Sequence, residues 1–158
     1  MKSVAVSLIT VLTITLHLSM AQEKVAKGTD VFQNVGMLAP QGNKVNQEPV
    51  QLRLEERSLT IASRKGDNIL KNFSYSEIKS AEYSYSKHPR WKAGLAVAAV
   101  VSIFALPIFF MKGKKHWLTV RTDKDFAVLR LDKNNYKVIL PNFETRSGVK
   151  VETLGEDK

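Results

Sequence analysis

The chain has no cysteine at any of its 158 positions. That excludes a disulfide framework, thiolate metal sites and a lipid-modified cysteine at a mature amino terminus. Histidine is nearly as scarce, with three in all. His88 and His116 stand at the two ends of one apolar run, and two imidazoles without a nearby thiolate or carboxylate make a poor zinc site. They read as members of a basic rim. No serine is placed with a histidine and an acid in a nucleophile context, and no glycine-rich phosphate loop exists. Lys65-Gly66-Asp67-Asn68 is turn chemistry. Glu55, Glu56, Asp123, Asp125 and Asp132 fall at expected turns and strand ends, where charges are solvated. These absences point to a protein that is not an enzyme and uses no metal or cofactor.

Acids are also missing from residues 87–116, thirty positions that hold Lys87, Arg90, Lys92, Lys112, Lys114 and Lys115. The formal net charge is +9, so most of the excess is local. Once Lys2 is set aside with the first segment, those six leave only +2 for the rest of the chain. A cluster at the edges of an apolar run suits an anionic membrane surface. Nucleic acid usually meets a basic face interleaved with polar readout residues, so it is not an expected partner.

The start of the chain has the anatomy of a secretory signal. Lys2 supplies the positive start, Val4 to Leu16 the apolar run, and Ser19-Met20-Ala21 the small residues that signal peptidase requires. Cleavage is expected between Ala21 and Gln22, with an uncleaved anchor helix as the alternative. Removal of residues 1–21 leaves about 137, enough for one sheet-based core. An exported protein without disulfides is held together by that core alone.

Residues 22–49 are rich in Gly, Asn, Gln and Lys, with Gly28, Gly36, Pro40, Gly42 and Pro49 breaking any period. They read as a flexible leader in which Val31, Phe32, Val35, Met37 and Leu38 add at most one edge strand. From Val50 the texture becomes that of strands with one wet face. Val50, Leu52 and Leu54 alternate with polar residues, as do Leu59 and Ile61. Ile69 to Phe73 follows the Lys65–Asn68 turn. Ala81, Tyr83 and Tyr85 alternate with polar partners, and Leu118 with Val120 and then Ala127, Leu129 and Leu131 continue the pattern. The period then switches: Tyr136, Ile139, Leu140 and Phe143 fall at helical spacing between an Asp132/Asn134/Asn135 cap region and Gly148. Pro141 interrupts that helix and is expected to kink it; the alternative is a strand through Leu140 and a helix from Pro141. Val149 to Leu154 reads as a short strand or tail. The fold class is α+β: a small, strongly bent antiparallel sheet or barrel with a carboxy-terminal helix covering one opening.

FSYSEIKSAEYSYS, residues 73 to 86, places Tyr75, Ser76, Ile78 and Glu82 in a "Y-S-x-I-x-x-x-E" run. Together with the closing LRLDKNNYKVILPNFETRSG, it resembles bacterial pleckstrin-homology-like and GRAM-like domains, as found in small exported bacterial proteins with an apolar insertion. The resemblance covers roughly residues 50–154 and implies a pleckstrin-like fold with no catalytic signature. Its departure is the insertion itself, where an ordinary domain has a short hairpin loop.

That insertion is nineteen uncharged residues, Ala93 to Met111. As helix it would extend about 28 Å, close to the roughly 30 Å of a bilayer core. A single span is nonetheless at odds with the topology, because it would leave half of one sheet on each side of the membrane. The flanking cations are balanced three against three, without the asymmetry of an ordinary span. Trp91 and Trp117 stand at the two ends, where indole favours the headgroup layer. Pro107 offers a bend, and Gly94, Ala96, Ala98 and Ala99 allow close packing of two limbs. The preferred reading is a bent or hairpin insertion dipping into one leaflet or packing in a membrane protein. Lys87, Arg90, Trp91, Lys92, Lys112, Lys114, Lys115 and Trp117 form its attachment rim to anionic headgroups. The alternatives are a single span, or a structural protein whose insertion makes a homo-oligomeric contact. Tyr75, Tyr83 and Tyr85 line a ligand groove or pack across strands, the second being the commoner use of strand aromatics.

Overall fold

The computed structural model describes residues 28–41, 44–65, 68–90 and 113–155. The expected signal with Ala21 and Gln22, the insertion 93–111 with Trp91, Lys92 and Lys112, and residues 156–158 lie outside the described residues. Eight strands form one sheet: β1 (Asp30–Gln41), β2 (Lys44–Leu54), β3 (Ser58–Ser63), β4 (Ile69–Ser74), β5 (Ser80–Ser86), β6 (Lys115–Arg121), β7 (Phe126–Leu131) and β8 (Val151–Leu154). A 3-10 turn over Tyr75–Glu77 joins β4 to β5, and helix α1 (Tyr136–Ser147) precedes β8. The strand order is β4-β3-β2-β1-β7-β6-β5-β8. All neighbours are antiparallel except β5 and β8, which run parallel from Ala81↔Val151 to Ser84↔Leu154. The sheet is therefore mixed and open, with β4 and β8 as its edges, where a wholly antiparallel sheet or barrel was expected.

The largest correction falls on residues 22–49. From Asp30 onward they are not a leader but the centre of the sheet. β1 pairs with β2 from Asp30↔Leu54 to Gln41↔Lys44 and with β7 through Gly36↔Arg130 and Met37↔Leu129. It is a central strand, not an edge. Two of the supposed breakers, Gly36 and Pro49, have a local use. Gly36 faces the side chain of Gln47 so closely that a Cβ would collide with it. Pro49 sits one residue before β2 meets β3 at Val50↔Ser63, so its missing N–H costs no ladder bond to β3. Asn34, at φ 61, takes the left-handed conformation where the β1 register shifts between Phe32 and Val35. Val35 and Met37 are buried, and apolar burial outweighs the polar composition around them.

The core lies on one face of the sheet. Leu52, Leu54, Leu59, Ile61, Leu118, Val120 and Leu129 all meet there, with Ile139 and Phe143 of α1 packed onto them. The helix forms as one continuous element through Pro141. Asp132 prepares its start, accepting at its carbonyl oxygen from the Asn135 and Tyr136 amides and at Oδ1 from the Asn134 amide. Gly148, at φ 71, ends it by donating to the Glu144 carbonyl. The guanidinium of Arg146 then ties the helix to the start of β1, donating to Asp30 Oδ2 at 2.6 Å and to the Gly28 carbonyl at 2.6 Å. Tyr75 belongs to this core. Its hydroxyl donates to the Glu55 carbonyl, its ring meets Phe143 edge-on, and burial pushes its pKa up to about 12.

Candidate functional site

The insertion leaves and re-enters the sheet at one end. β5 and β6 are adjacent antiparallel strands, paired without interruption from Ser80↔Arg121 to Ser86↔Lys115. Residue 87 and residue 114 therefore start one strand spacing apart, about 5 Å. This places the exposed Lys87 beside the half-exposed Lys114 and Lys115. Arg90 donates from its guanidinium to the Gly155 carbonyl at 3.0 Å. Lys114 holds its ammonium 5.8 Å from the centre of the Tyr85 ring. Strand pairing alone thus brings Lys87, Lys114 and Lys115 to one end of the sheet, while Arg90 lies toward the end of β8.

Trp117 is the exception. It is 1% exposed, and its indole Nε1 donates to the Ser86 carbonyl at 3.1 Å. An indole committed in that way presents no ring to a headgroup layer, so Trp117 is not a rim anchor. Period-two alternation explains the misreading: Leu118 and Val120 mark one face of β6 as apolar, which leaves Trp117 on the side expected to be wet. Glu82, Ser84 and Ser86, expected as the wet partners in β5, are also buried. Arg121 closes a buried ion pair with Glu82.

On the inward side of the same end, sequence reasoning did not assemble a small aromatic site. Tyr83, Tyr85 and His116 share a face because Tyr85 pairs with His116 and Tyr83 with Leu118. Tyr136, the first residue of α1, completes the group. The His116 ring lies 3.8 Å from Tyr136 and 4.6 Å from Tyr85, nearly parallel to both, and its Nδ1 is 2.7 Å from the Tyr83 hydroxyl. The Lys137 ammonium stands 5.9 Å from the Tyr136 ring centre. These side chains, with Thr153 and Leu154 of β8, line an open cavity of about 390 Å³. Burial holds the His116 pKa below its ordinary value; Lys137 pushes the same way and Asp132 opposes it. An imidazole stacked between tyrosine rings offers ring faces and hydrogen-bonding nitrogens to a bound group. Helical spacing places Tyr136 on the core stripe and carries no signal that its ring meets His116 of β6.

His88 lies elsewhere. It is exposed, and its carbonyl accepts a hydrogen bond from Ser86 Oγ. Among the described residues no group of three or more His, Asp or Glu side chains is arranged to hold a metal ion. At the opposite end of the sheet, Asp123 and Asp125 border a second opening of about 280 Å³. Their charges are taken up by Lys79 at 3.4 Å and Lys71 at 2.5 Å. Among the described residues no helix is long and apolar enough to cross a membrane.

No family model matches the chain, and no curated protein is significantly similar to it. Among solved structures, one described as the Spt16D Pob3N heterodimer is similar over 83% of this chain, at 13% sequence identity and a TM-score of 0.49. The chain spans 56% of that structure's chain.

Proposed function

We propose that this is a non-enzymatic, exported, pleckstrin-homology-like binding module that attaches to a membrane at the end of the sheet from which its apolar insertion emerges. The observation that carries the reading is the uninterrupted pairing of β5 with β6 up to Ser86↔Lys115. Strands so paired cannot be parted by a bilayer, which argues against 93–111 as a single span. Lys87, Lys114 and Lys115 stand at the sheet end from which the insertion departs, and Arg90 follows Lys87 in the chain. Each Lys or Arg brought near an anionic headgroup contributes about 1 kcal/mol. The apolar run adds burial that is independent of salt.

The test is sedimentation of the purified mature chain with vesicles of phosphatidylcholine containing phosphatidylserine or phosphatidylglycerol. Binding is expected to weaken steeply with added salt. K87Q/R90Q/K114Q/K115Q is expected to bind at least tenfold more weakly and to lose most of the salt dependence. Equal binding of the quadruple variant and the parent would remove the basis for the reading. A detergent-free oligomer that ignores vesicles would favour assembly through the insertion instead.

A further inference from the structure

The aromatic group on the inward side of β5 and β6 is arranged unlike the aromatic residues of the core. In the core, Tyr75 meets Phe143 edge-on, with their ring planes at 83°. At the corner formed by β5, β6, β8 and the start of α1, four rings lie nearly parallel instead. The His116 plane is within 12° of Tyr136, 13° of Tyr83 and 26° of Tyr85, and Tyr83 and Tyr136 differ by 5°. None of the four is buried; each keeps part of its surface open to solvent. Tyr83 on β5 and His116 on β6 are joined through the hydroxyl and Nδ1 at 2.7 Å, which steadies the ladder across the two strands. The cavity beside it, about 390 Å³, is at the small end of the roughly 300–1,000 Å³ of small-molecule sites.

Two cations stand at the margin. Lys114 Nζ is 5.8 Å from the centre of the Tyr85 ring, and Lys137 Nζ is 5.9 Å from that of Tyr136. Both distances fall within about 6 Å, the reach of a cation–π contact. Lys114 precedes β6 and Lys137 belongs to α1, so the fold brings this pair to one place. An acid, Asp132, also bears on His116. Its Oδ1 and its carbonyl oxygen are engaged in the turn that starts α1. The ring faces that attract positive charge therefore already have ammonium groups beside them. A cationic guest meets repulsion here, and an anionic one is drawn in.

We infer that this corner binds a small, flat aromatic anion, its ring parallel to the tyrosine–histidine ladder and its negative group turned to Lys114 and Lys137. A further flat ring extends the existing stack, and offset stacking contributes beyond the area it buries. Such a ring system has few rotatable bonds to fix, which keeps the cost of binding low in an open cavity. Thr153 and the tyrosine hydroxyls offer hydrogen bonds at the edge, and Leu154 an apolar wall. The negative group meets two ammoniums on a surface that is only half wet, where charge-assisted hydrogen bonds are the strong ones. The site is independent of membrane attachment, and Lys114 belongs to both.

The test is titration of the purified mature chain, without lipid, with 2-naphthoate while the ring resonances of His116, Tyr85 and Tyr136 are followed by NMR. Saturable upfield shifts are expected at all three, from the ring current of the guest. Naphthamide keeps the rings and loses the charge; cyclohexanecarboxylate keeps the charge and loses the flat ring. Each is expected to bind at least fivefold more weakly. Lys114→Gln/Lys137→Gln, which changes surface side chains only, is expected to weaken 2-naphthoate at least fivefold. Tyr85→Leu is expected to weaken it at least threefold. Lys79→Gln/Lys124→Gln, at the opposite end of the sheet, is expected to leave it unchanged. Absence of saturable shifts in the parent at millimolar 2-naphthoate would overturn the proposal. Equal binding of the amide or of the saturated acid overturns it too, as does an equal loss in the two lysine pairs, which marks attraction to net charge alone. Vesicle binding is scored separately: a chain that ignores vesicles and binds 2-naphthoate keeps the site, and one that binds only vesicles lacks it.

Discussion

The two faces of the β5–β6–β7 layer are both largely dry and are built from different residues. The inward face holds Ala81, Leu118, Val120, Ala127 and Leu129 under the Ile139 and Phe143 of α1. The outward face holds two serines, a threonine, an ion pair and an indole whose N–H is committed to a backbone carbonyl. The inward face is stabilised mainly by removing apolar area from water, which tolerates small misfits at modest cost. The outward face contains polar groups whose burial costs free energy unless each finds a partner. Burial alone therefore does not tell how a layer responds to change. The kind of atom buried does.

That contrast can be broken from either side. Phe143→Ala should cost most, about 4 kcal/mol in urea unfolding, by opening a cavity under the helix. Arg121→Met should cost about 3 kcal/mol by leaving the Glu82 carboxylate buried without its counter-ion. Most of that loss should return in the Glu82→Leu/Arg121→Met double variant, which a double-mutant cycle reads directly. If the outward face were wet, the single change would cost less than 1 kcal/mol, as at an exposed pair. Trp117→Phe keeps most of the ring but removes the donor to the Ser86 carbonyl, for about 1 kcal/mol. The smallest effect is expected at His116, which is only partly buried. Its folded pKa lies below the ordinary value, so below about pH 6.5 the unfolded chain takes up the proton more readily. Stability should fall as the pH drops through that range and should be indifferent to His116 above it. His116→Gln should flatten the acid limb of a melting-temperature profile.

Much of the fold was legible because β2, β3, β6 and β7 alternate cleanly, and because Tyr136, Ile139, Leu140 and Phe143 keep helical spacing up to the Gly148 stop. Pro141 did not break the helix, since packing of Ile139 and Phe143 outweighs one lost backbone bond. β1 was missed because composition was weighed over position. Its glycine and proline neighbours read as breakers until Gln47 is found in the space above Gly36 and β3 is found to stop short of Pro49. Charge clustering picked out Lys87, Lys114 and Lys115 together, and the pairing of β5 with β6 brings those three to one end of the sheet. Trp117 and Glu82 were misplaced for one shared reason. Alternation tells which residues lie together on a face, and it is silent about what covers that face.

The position of β1 also bears on how the protein comes to be folded. The first strand to be synthesised is held between β2, its neighbour in the chain, and β7, whose contact Gly36↔Arg130 joins residues from opposite ends of the chain. Arg146 reaching back to Asp30 fastens the same two regions a second time. A nascent chain halted just before β7 has the β1–β4 meander with one margin of β1 unsatisfied and no helix over its apolar side. Assembly must wait for nearly the whole polypeptide, and such long-range closure is slow. A chain that stays unfolded until late is one that can still be threaded through a narrow pore.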